Sequence, residues 1–184
     1  DGQAADLADL SDVVRSQGNT ARANEMLQRA LKLYVETGNQ MGQSNVHGRL
    51  GVGALQRGQM AAAQKSYAAA ADLAEASGDT GSMVYAHLGL GELSSATAKF
   101  KEARDHYQIA LDLARSIDAR KNEAEALSGL GDVARKQNDA ATAIERYRDA
   151  MMIYEQLDLG EPVAELSKLL EALGATPSPE GPEN

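Results

Sequence analysis

The chain has 184 residues, enough for one domain with a substantial core, and a net charge of −9 without any block of Lys or Arg. That balance disfavours non-specific binding to nucleic acid or to an anionic membrane surface. The absence of cysteine removes disulfides, thiolate nucleophiles and Cys-based zinc sites, and no apolar run approaches the roughly 18 residues of a membrane span.

Apolar residues make up 43% of the chain but aromatics only 4%, so alanine dominates and the expected body is helices packed closely through small side chains. All four prolines (Pro162, Pro177, Pro179, Pro182) lie near the C-terminus, which leaves residues 1–161 without a helix breaker. In chain order, apolar spacing predicts helices near 4–16, 20–37, 42–57, 60–77, 82–97, 100–117, 122–137 and 140–157. A ninth helix near 162–173 has Pro162 in its first turn. Val163, Leu166, Leu169, Leu170 and Leu173 fall on one side of it and Glu165, Lys168 and Glu171 on the other, as in a terminal cap. Residues 174–184, "GATPSPEGPEN", are expected to form a disordered acidic tail. No signal peptide is visible. The first residue is Asp1 rather than Met, which suggests a piece of a longer chain, and the expected setting is cytoplasmic.

Shifting the sequence by 40 residues aligns it with itself. Leu10-Ser11, Leu50-Gly51, Leu90-Gly91 and Leu130-Gly131 coincide, as do Ala23, Ala63, Ala103 and Ala143. Leu27, Tyr67, Tyr107 and Tyr147 follow, and then Ala30, Ala70, Ala110 and Ala150. A fixed period over four units is the mark of a solenoid, in which each unit buries its apolar face against its neighbours.

These residues carry a resemblance. His87-x-x-Leu90-Gly91 followed by Ala103-x-x-x-Tyr107-x-x-Ala110 resembles the tetratricopeptide repeat (TPR) signature, in four units over nearly the whole chain. The usual period is about 34 residues with a proline closing the second helix; here Glu75, Arg115 and Glu155 stand near that place and the helices are longer. The variety is similar to the arrays of LGN/Pins-type polarity adaptors and of bacterial TPR regulatory proteins. HEAT and armadillo repeats share a period near 40 but not this Leu-Gly…Ala…Tyr…Ala pattern. The resemblance implies an all-α fold, a right-handed α-solenoid of four TPR helix hairpins plus a C-terminal capping helix. The implied repeats are about 2–39, 42–79, 82–119 and 122–159, within one domain over 1–173.

The G-x-G of Gly89 and Gly91 raises the possibility of a phosphate-binding turn. No strand precedes it, and the third glycine of the motif would fall at Ser94. Gly51, Gly91 and Gly131 instead occupy the small-residue slot where the family's first helix approaches its partner. His47 and His87 lie four residues before Gly51 and Gly91 and are expected to be core or boundary residues. Glu102 and His106 are spaced i,i+4 but lack a third ligand. Tyr67, Tyr107 and Tyr147 sit at core positions and not on a base-stacking platform. No catalytic motif, metal site or cofactor site is expected, and the protein is not expected to be an enzyme.

The resemblance implies a concave groove lined by the first helices. In the first unit the matching face is Ala5, Ala8, Asp12 and Arg15, and in the second Asn45, Gly48, Val52 and Leu55, with Arg49 and Gln56 beside them. In the third it is Tyr85, Leu88, Glu92 and Ser95, and in the fourth Glu125, Ser128, Asp132 and Arg135, with Lys136 adjacent. Asp12, Glu92 and Asp132 share one repeat position, while Val52, Leu55, Tyr85 and Leu88 form an apolar middle. One reading is a groove for a peptide with an apolar anchor and a nearby Lys or Arg. The other makes Asp12–Arg15 and Asp132–Arg135 ordinary i,i+3 pairs and the apolar residues neighbour contacts. TPR domains that clamp acidic tails use basic residues and Asn at such positions, so an acidic tail is not the expected ligand. The expected function is a non-catalytic protein-interaction scaffold. The alternatives are a regulatory or sensor domain of a larger protein, or a self-associating module. Neither nucleic acid nor direct membrane insertion is expected.

Overall fold

The structure, a computed structural model, describes residues 2–176, and every regular element among them is an α-helix. The helices are α1 (Gly2–Ser16), α2 (Thr20–Glu36), α3 (Gln40–Gln56), α4 (Met60–Ser77), α5 (Thr80–Ala96), α6 (Phe100–Ser116), α7 (Arg120–Lys136), α8 (Ala140–Gln156) and α9 (Gly160–Ala172). The predicted hairpins α1–α2, α3–α4 and α7–α8 are present, α5 and α6 follow at the predicted places in the chain, and α9 packs on α8. The first helix of each hairpin starts two residues earlier than its apolar pattern, because the connecting turns are shorter than the pattern suggests. Asn39 begins α3 directly by accepting the Gly42 N–H at 2.9 Å; Asn19 and Asp139 do the same for Arg22 and Thr142 in α2 and α8.

Every turn uses one left-handed residue, and these recur every 20 positions. Gly18, Gly38, Gly58 and Gly78 have φ between 68° and 85°; Ala98, Asp118, Asn138 and Asp158 have φ between 54° and 62°. Beyond each such residue the next N–H reaches back to the last helical turn, as Lys99 N does to Ser94 O at 2.8 Å and Asp139 N to Ala134 O at 2.9 Å. Asn and Asp tolerate this conformation, but an alanine in it costs about 1–2 kcal/mol.

The chain divides into two compact units, one up to Leu93 and the other from Ser94. In the first, α1 packs on α2, α2 on α3 and α3 on α4. Its core joins Ala4, Ala8, Leu27, Ala30, Tyr34 and Val46, and a second cluster joins Ala54, Ala63, Tyr67, Leu90 and Leu93. In the second, α6 packs on α7, α7 on α8 and α8 on α9. There Ala103, Ala110, Leu111, Leu127, Ala143, Tyr147 and Ala150 are buried. Leu166 and Leu170 bury the inner side of α9, with Val163, Leu169 and Leu173 half-buried and Glu165, Lys168 and Glu171 exposed. Gly174 to Thr176 close α9, with Ala175 N donating to Leu170 O at 2.9 Å. The rest of the predicted tail, 177–184, lies outside the described residues.

The repeated alanines are fully buried because neighbouring helices run close to one another there. The tyrosines show how close. A Cβ at Gly51 would lie 2.6 Å from the Tyr67 ring and one at Gly89 only 2.2 Å from it, so the ring is seated between bare backbone on α3 and on α5. Gly129 stands the same way against Tyr107 at 2.4 Å, and Gly131 against Tyr147 at 2.6 Å. Gly51 and Gly131 thus fill the predicted small-residue slot, and Gly91 is buried at the equivalent place. Gly89 and Gly129 form a second row that the sequence pattern did not reveal. The first repeat varies both partners together: Leu27 replaces the tyrosine and Arg49 stands where α5 has Gly89. Each glycine costs about 1 kcal/mol of helix propensity. Burying roughly 150 Å² of ring at about 25 cal/mol per Å² is worth about 4 kcal/mol, which outweighs the two glycines around Tyr67.

Ala98 is the one turn residue with neither a glycine's freedom nor a side-chain amide or carboxylate. Ala98→Gly should raise unfolding free energy by about 1 kcal/mol, seen as a higher urea midpoint with an unchanged slope.

Candidate functional site

The first helices carry the predicted face, and α1 and α3 are tied together along it. The Arg49 guanidinium donates to Asp12 Oδ2 at 2.5 Å, Ala8 O at 2.7 Å, Asp9 Oδ1 at 2.8 Å and Asn45 Oδ1 at 2.8 Å. Arg15 donates to Asp12 Oδ1 at 2.6 Å and to Arg49 O at 3.3 Å. Two arginines thus neutralise two aspartates, and most of their donors are committed to holding α1 against α3. Asp9, the fourth member, was not singled out from sequence, because its partner is forty residues away and identifiable only once the helices lie side by side. Asp12–Arg15 is the expected i,i+3 pair.

Two residues expected on the face are not on it. Ala8 is 3% exposed and presents only its carbonyl, to Arg49. Ser95 is 7% exposed and accepts a hydrogen bond from Lys136 Nζ at 2.8 Å. In both cases the close approach of neighbouring helices takes a small side chain into the packing.

The apolar part of the face lies in the first unit. Val52 and Leu55 on α3 are half-buried and pack on the cluster of Tyr67, Leu90 and Leu93. On α5, Tyr85 is 61% exposed, the highest value among the large apolar and aromatic residues that reach solvent, and Leu88 is half-buried. Glu92 and Gln56 are exposed, Ala5 and Gly48 half-buried.

In the second unit, Asp132 and Arg135 engage a tyrosine. The Tyr147 hydroxyl donates to Asp132 Oδ1 at 2.7 Å and accepts from Arg135 Nε at 3.1 Å, while Arg135 Nη2 donates to the same Asp132 oxygen at 3.2 Å. Burial first, and then the bond to Asp132, push the Tyr147 hydroxyl well above its usual titration range. The bonds to Tyr147 and Asp132 likewise raise Arg135. Glu125 sits 3.6 Å from Lys121. Sequence analysis also passed over Glu123, a buried carboxylate on α7 held by Arg115 Nε at 2.9 Å and by Arg120 Nη1. That triad fastens the turn between α6 and α7.

Tyr67 has the same place in its repeat as Tyr147 but different surroundings. Val52 stands where Asp132 would be and Leu55 where Arg135 would be. The side chain is 1% exposed and its hydroxyl has no hydrogen-bond partner. Burial first, then the charge of Glu92, raise its titration, with Arg15 opposing. The hydroxyl therefore lies within the electrostatic reach of both α1 and α5.

The histidines have ordinary surroundings. His47 is half-buried and held below its usual value by burial and then by Lys65; His87 is half-buried. Burial lowers His106, and Glu102 pairs with Lys99 at 3.0 Å. Among the described residues no group of three His, Asp or Glu is placed to hold a metal ion, and no helix is long and apolar enough to cross a membrane.

Among the described residues the fold is all-α, built from recurring helix pairs. Residues 82–156 match the tetratricopeptide repeat family model, which the helix pairs recurring along the described chain support. No curated protein matches it in sequence. Among solved structures it is similar to the apo form of RapI, with a TM-score of 0.83 and 17% identity over 94% of this chain and 63% of that one. It also resembles BtubC (BKLC) from P. vanneervenii, with a TM-score of 0.76 and 19% identity over 91% of this chain and 72% of that one. Aspartyl phosphate phosphatase F from Bacillus subtilis gives a TM-score of 0.78 at 14% identity, over 93% of this chain and 50% of that one. At such identities the likeness is one of fold. The chain spans less than two thirds of the length of RapI and half that of the phosphatase.

The two tyrosines should respond oppositely to loss of the hydroxyl. Tyr147→Phe should cost about 1–2 kcal/mol in chemical denaturation, because it strips a donor from a carboxylate. Tyr67→Phe should be neutral or stabilising by up to about 1 kcal/mol, because no bond is lost.

Proposed function

We propose that the protein is a non-catalytic interaction scaffold that binds a protein segment on the first-helix face of its first unit. The observation that carries this reading is the exposure of Tyr85 beside Leu88, on the face that also holds Val52 and Leu55. Tetratricopeptide repeats are generally interaction scaffolds, and a solvent-exposed aromatic among apolar neighbours is the kind of group that anchors a partner.

Charge sets the partner's chemistry. Asp9 and Asp12 are balanced by Arg15 and Arg49, while the chain as a whole carries a net charge of −9. A peptide with an apolar anchor and a nearby Lys or Arg suits it, whereas an acidic tail meets repulsion. Asp12 and Asp132 contribute by organising arginine and tyrosine neighbours rather than by waiting for a ligand cation. Arg49 acts as a clamp between helices. In the second unit, Lys136 is bonded to Ser95 and Arg135 to Asp132 and Tyr147, so that face is the weaker candidate.

A second reading, a regulatory module within a longer protein, is favoured by the greater length of RapI and the phosphatase, the similar structures of which it spans least. Both readings use the same face, and both take the cytoplasm as the setting.

Selection of a random peptide library on the full chain should enrich sequences with an aliphatic or aromatic residue near Lys or Arg. Tyr85→Asp and Leu88→Asp should each weaken the selected peptides at least about tenfold at unchanged melting temperature. Enrichment of acidic sequences, or indifference to both substitutions, would contradict the proposal.

A further inference from the structure

The first helices that follow α1 are each covered on one side by the second helix before them, and the same repeat positions make the contact. On α3, a Cβ at Gly42 would lie 2.4 Å from the Tyr34 ring of α2, and Gln43 Nε2 donates to the Tyr34 carbonyl at 3.2 Å. On α5, Gly89 meets the Tyr67 ring of α4, and Leu90 and Leu93 share a core cluster with Tyr67 and Ala63. On α7, Gly129 meets the Tyr107 ring of α6, and Leu130 and Val133 are buried. The repeat period carries these positions onto Gly2, Leu10 and Val13 of α1. There they lie open among the described residues: nothing stands within 4 Å of a Cβ at Gly2, and Leu10 and Val13 are 52% and 51% exposed. Val46, Ala86, Ala126 and Leu166 occupy a further buried position, at which α1 has Asp6. Asp6 is exposed and paired with no cation among the described residues.

We propose that this side of α1 is a second docking surface, which takes an amphipathic helix of a partner protein in the way that α3 takes α2. It is separate from the face around Tyr85 and does not rest on that reading. The occupant follows from contacts that the chain already makes between its own helices. Gly42 meets Tyr34 and Gly53 meets Asn24, so α2 crosses α3 antiparallel. The occupant therefore runs antiparallel to α1. It sets an aliphatic residue over Leu10 and Val13, and an aromatic ring in the open slot at Gly2, as far along the helix as Tyr34 is from Asn24. Asp6 falls between the two, opposite the place of Ala30 and Leu31 in α2. Covering Asp6 takes a carboxylate out of water, which is costly without a counter-charge, so the occupant carries Lys or Arg there. Asp9, on the same side, is already paired with Arg49 at 2.8 Å.

The probe is a synthetic peptide copying residues 18–38, which contain α2, with the change Leu31→Lys; a control peptide carries Leu31→Glu instead. Fluorescence polarisation against the full chain should show saturable binding of the Lys peptide, at least about fivefold tighter than the Glu peptide. Leu10→Asp and Val13→Asp, at exposed positions, should each weaken the Lys peptide at least about tenfold at unchanged melting temperature. Leu10→Ser, a milder change at the same place, should weaken it at least about threefold. Asp6→Lys should reverse the order of the two peptides. No saturable binding of the Lys peptide would overturn the proposal and leave the face around Tyr85 untouched. Binding that survives both Leu10→Asp and Val13→Asp would also overturn it, because the peptide would then have displaced α2 from its own place. An unchanged order in Asp6→Lys would overturn the assignment of the basic residue. A dimer of the wild-type chain that Leu10→Asp converts to a monomer would identify the occupant as a second copy and overturn the partner assignment.

Discussion

The structure depends on a tyrosine ring seated against helix backbone. Tyr67 is too large to lie between two helices that carry side chains at the contact, and it fits because Gly51 and Gly89 supply none. Seating the ring lets the first helices of successive hairpins come close within a unit, and that closeness is why the alanine positions admit nothing larger. It also fixes which residues of α1, α3 and α5 turn outward. The interaction face is a consequence of the interlock rather than an independent construction.

The same interlock explains how polar residues divide between structure and surface. Where the ring is present with Asp and Arg above it, as at Tyr147, the polar pair is consumed by the hydroxyl. Where ring and glycine are replaced together, as at Leu27 and Arg49, the arginine clamps α1 to α3 through Asp9, Asp12 and the Ala8 carbonyl. In repeat two the ring of Tyr67 remains, with Val52 and Leu55 at the positions of that polar pair and its hydroxyl unpaired. Repeats with one backbone plan therefore present different chemistry.

Most of the architecture was legible in the sequence. A 40-residue shift gives hairpins, and the alanines and tyrosines that coincide under it are buried as expected. The turns' 20-residue beat was harder to see, because glycine marks it in the first half and Ala98, Asp118, Asn138 and Asp158 mark it in the second. The second glycine row was hidden because Arg49 breaks it. Periodicity told which residues of α1 and α3 face the same way, but not that Arg49 would spend its donors on Asp9 and Asn45. That outcome depends on side-chain reach across neighbouring helices, which a one-dimensional pattern does not contain. Ala8 and Ser95 were misplaced for a related reason: on a closely packed helix, a small residue at the edge of the face is covered by its neighbour.

The central claim is that ring and glycine act as one unit, and a double-mutant cycle on Tyr67→Leu and Gly89→Ala measures it. Gly89→Ala in the wild-type background should destabilise by about 1–3 kcal/mol, since its Cβ would overlap the ring. In the Tyr67→Leu background, which resembles the first repeat, the same change should be close to neutral, giving a coupling of at least about 1 kcal/mol. Additive effects would show that the ring and the glycine are independent and would contradict the account.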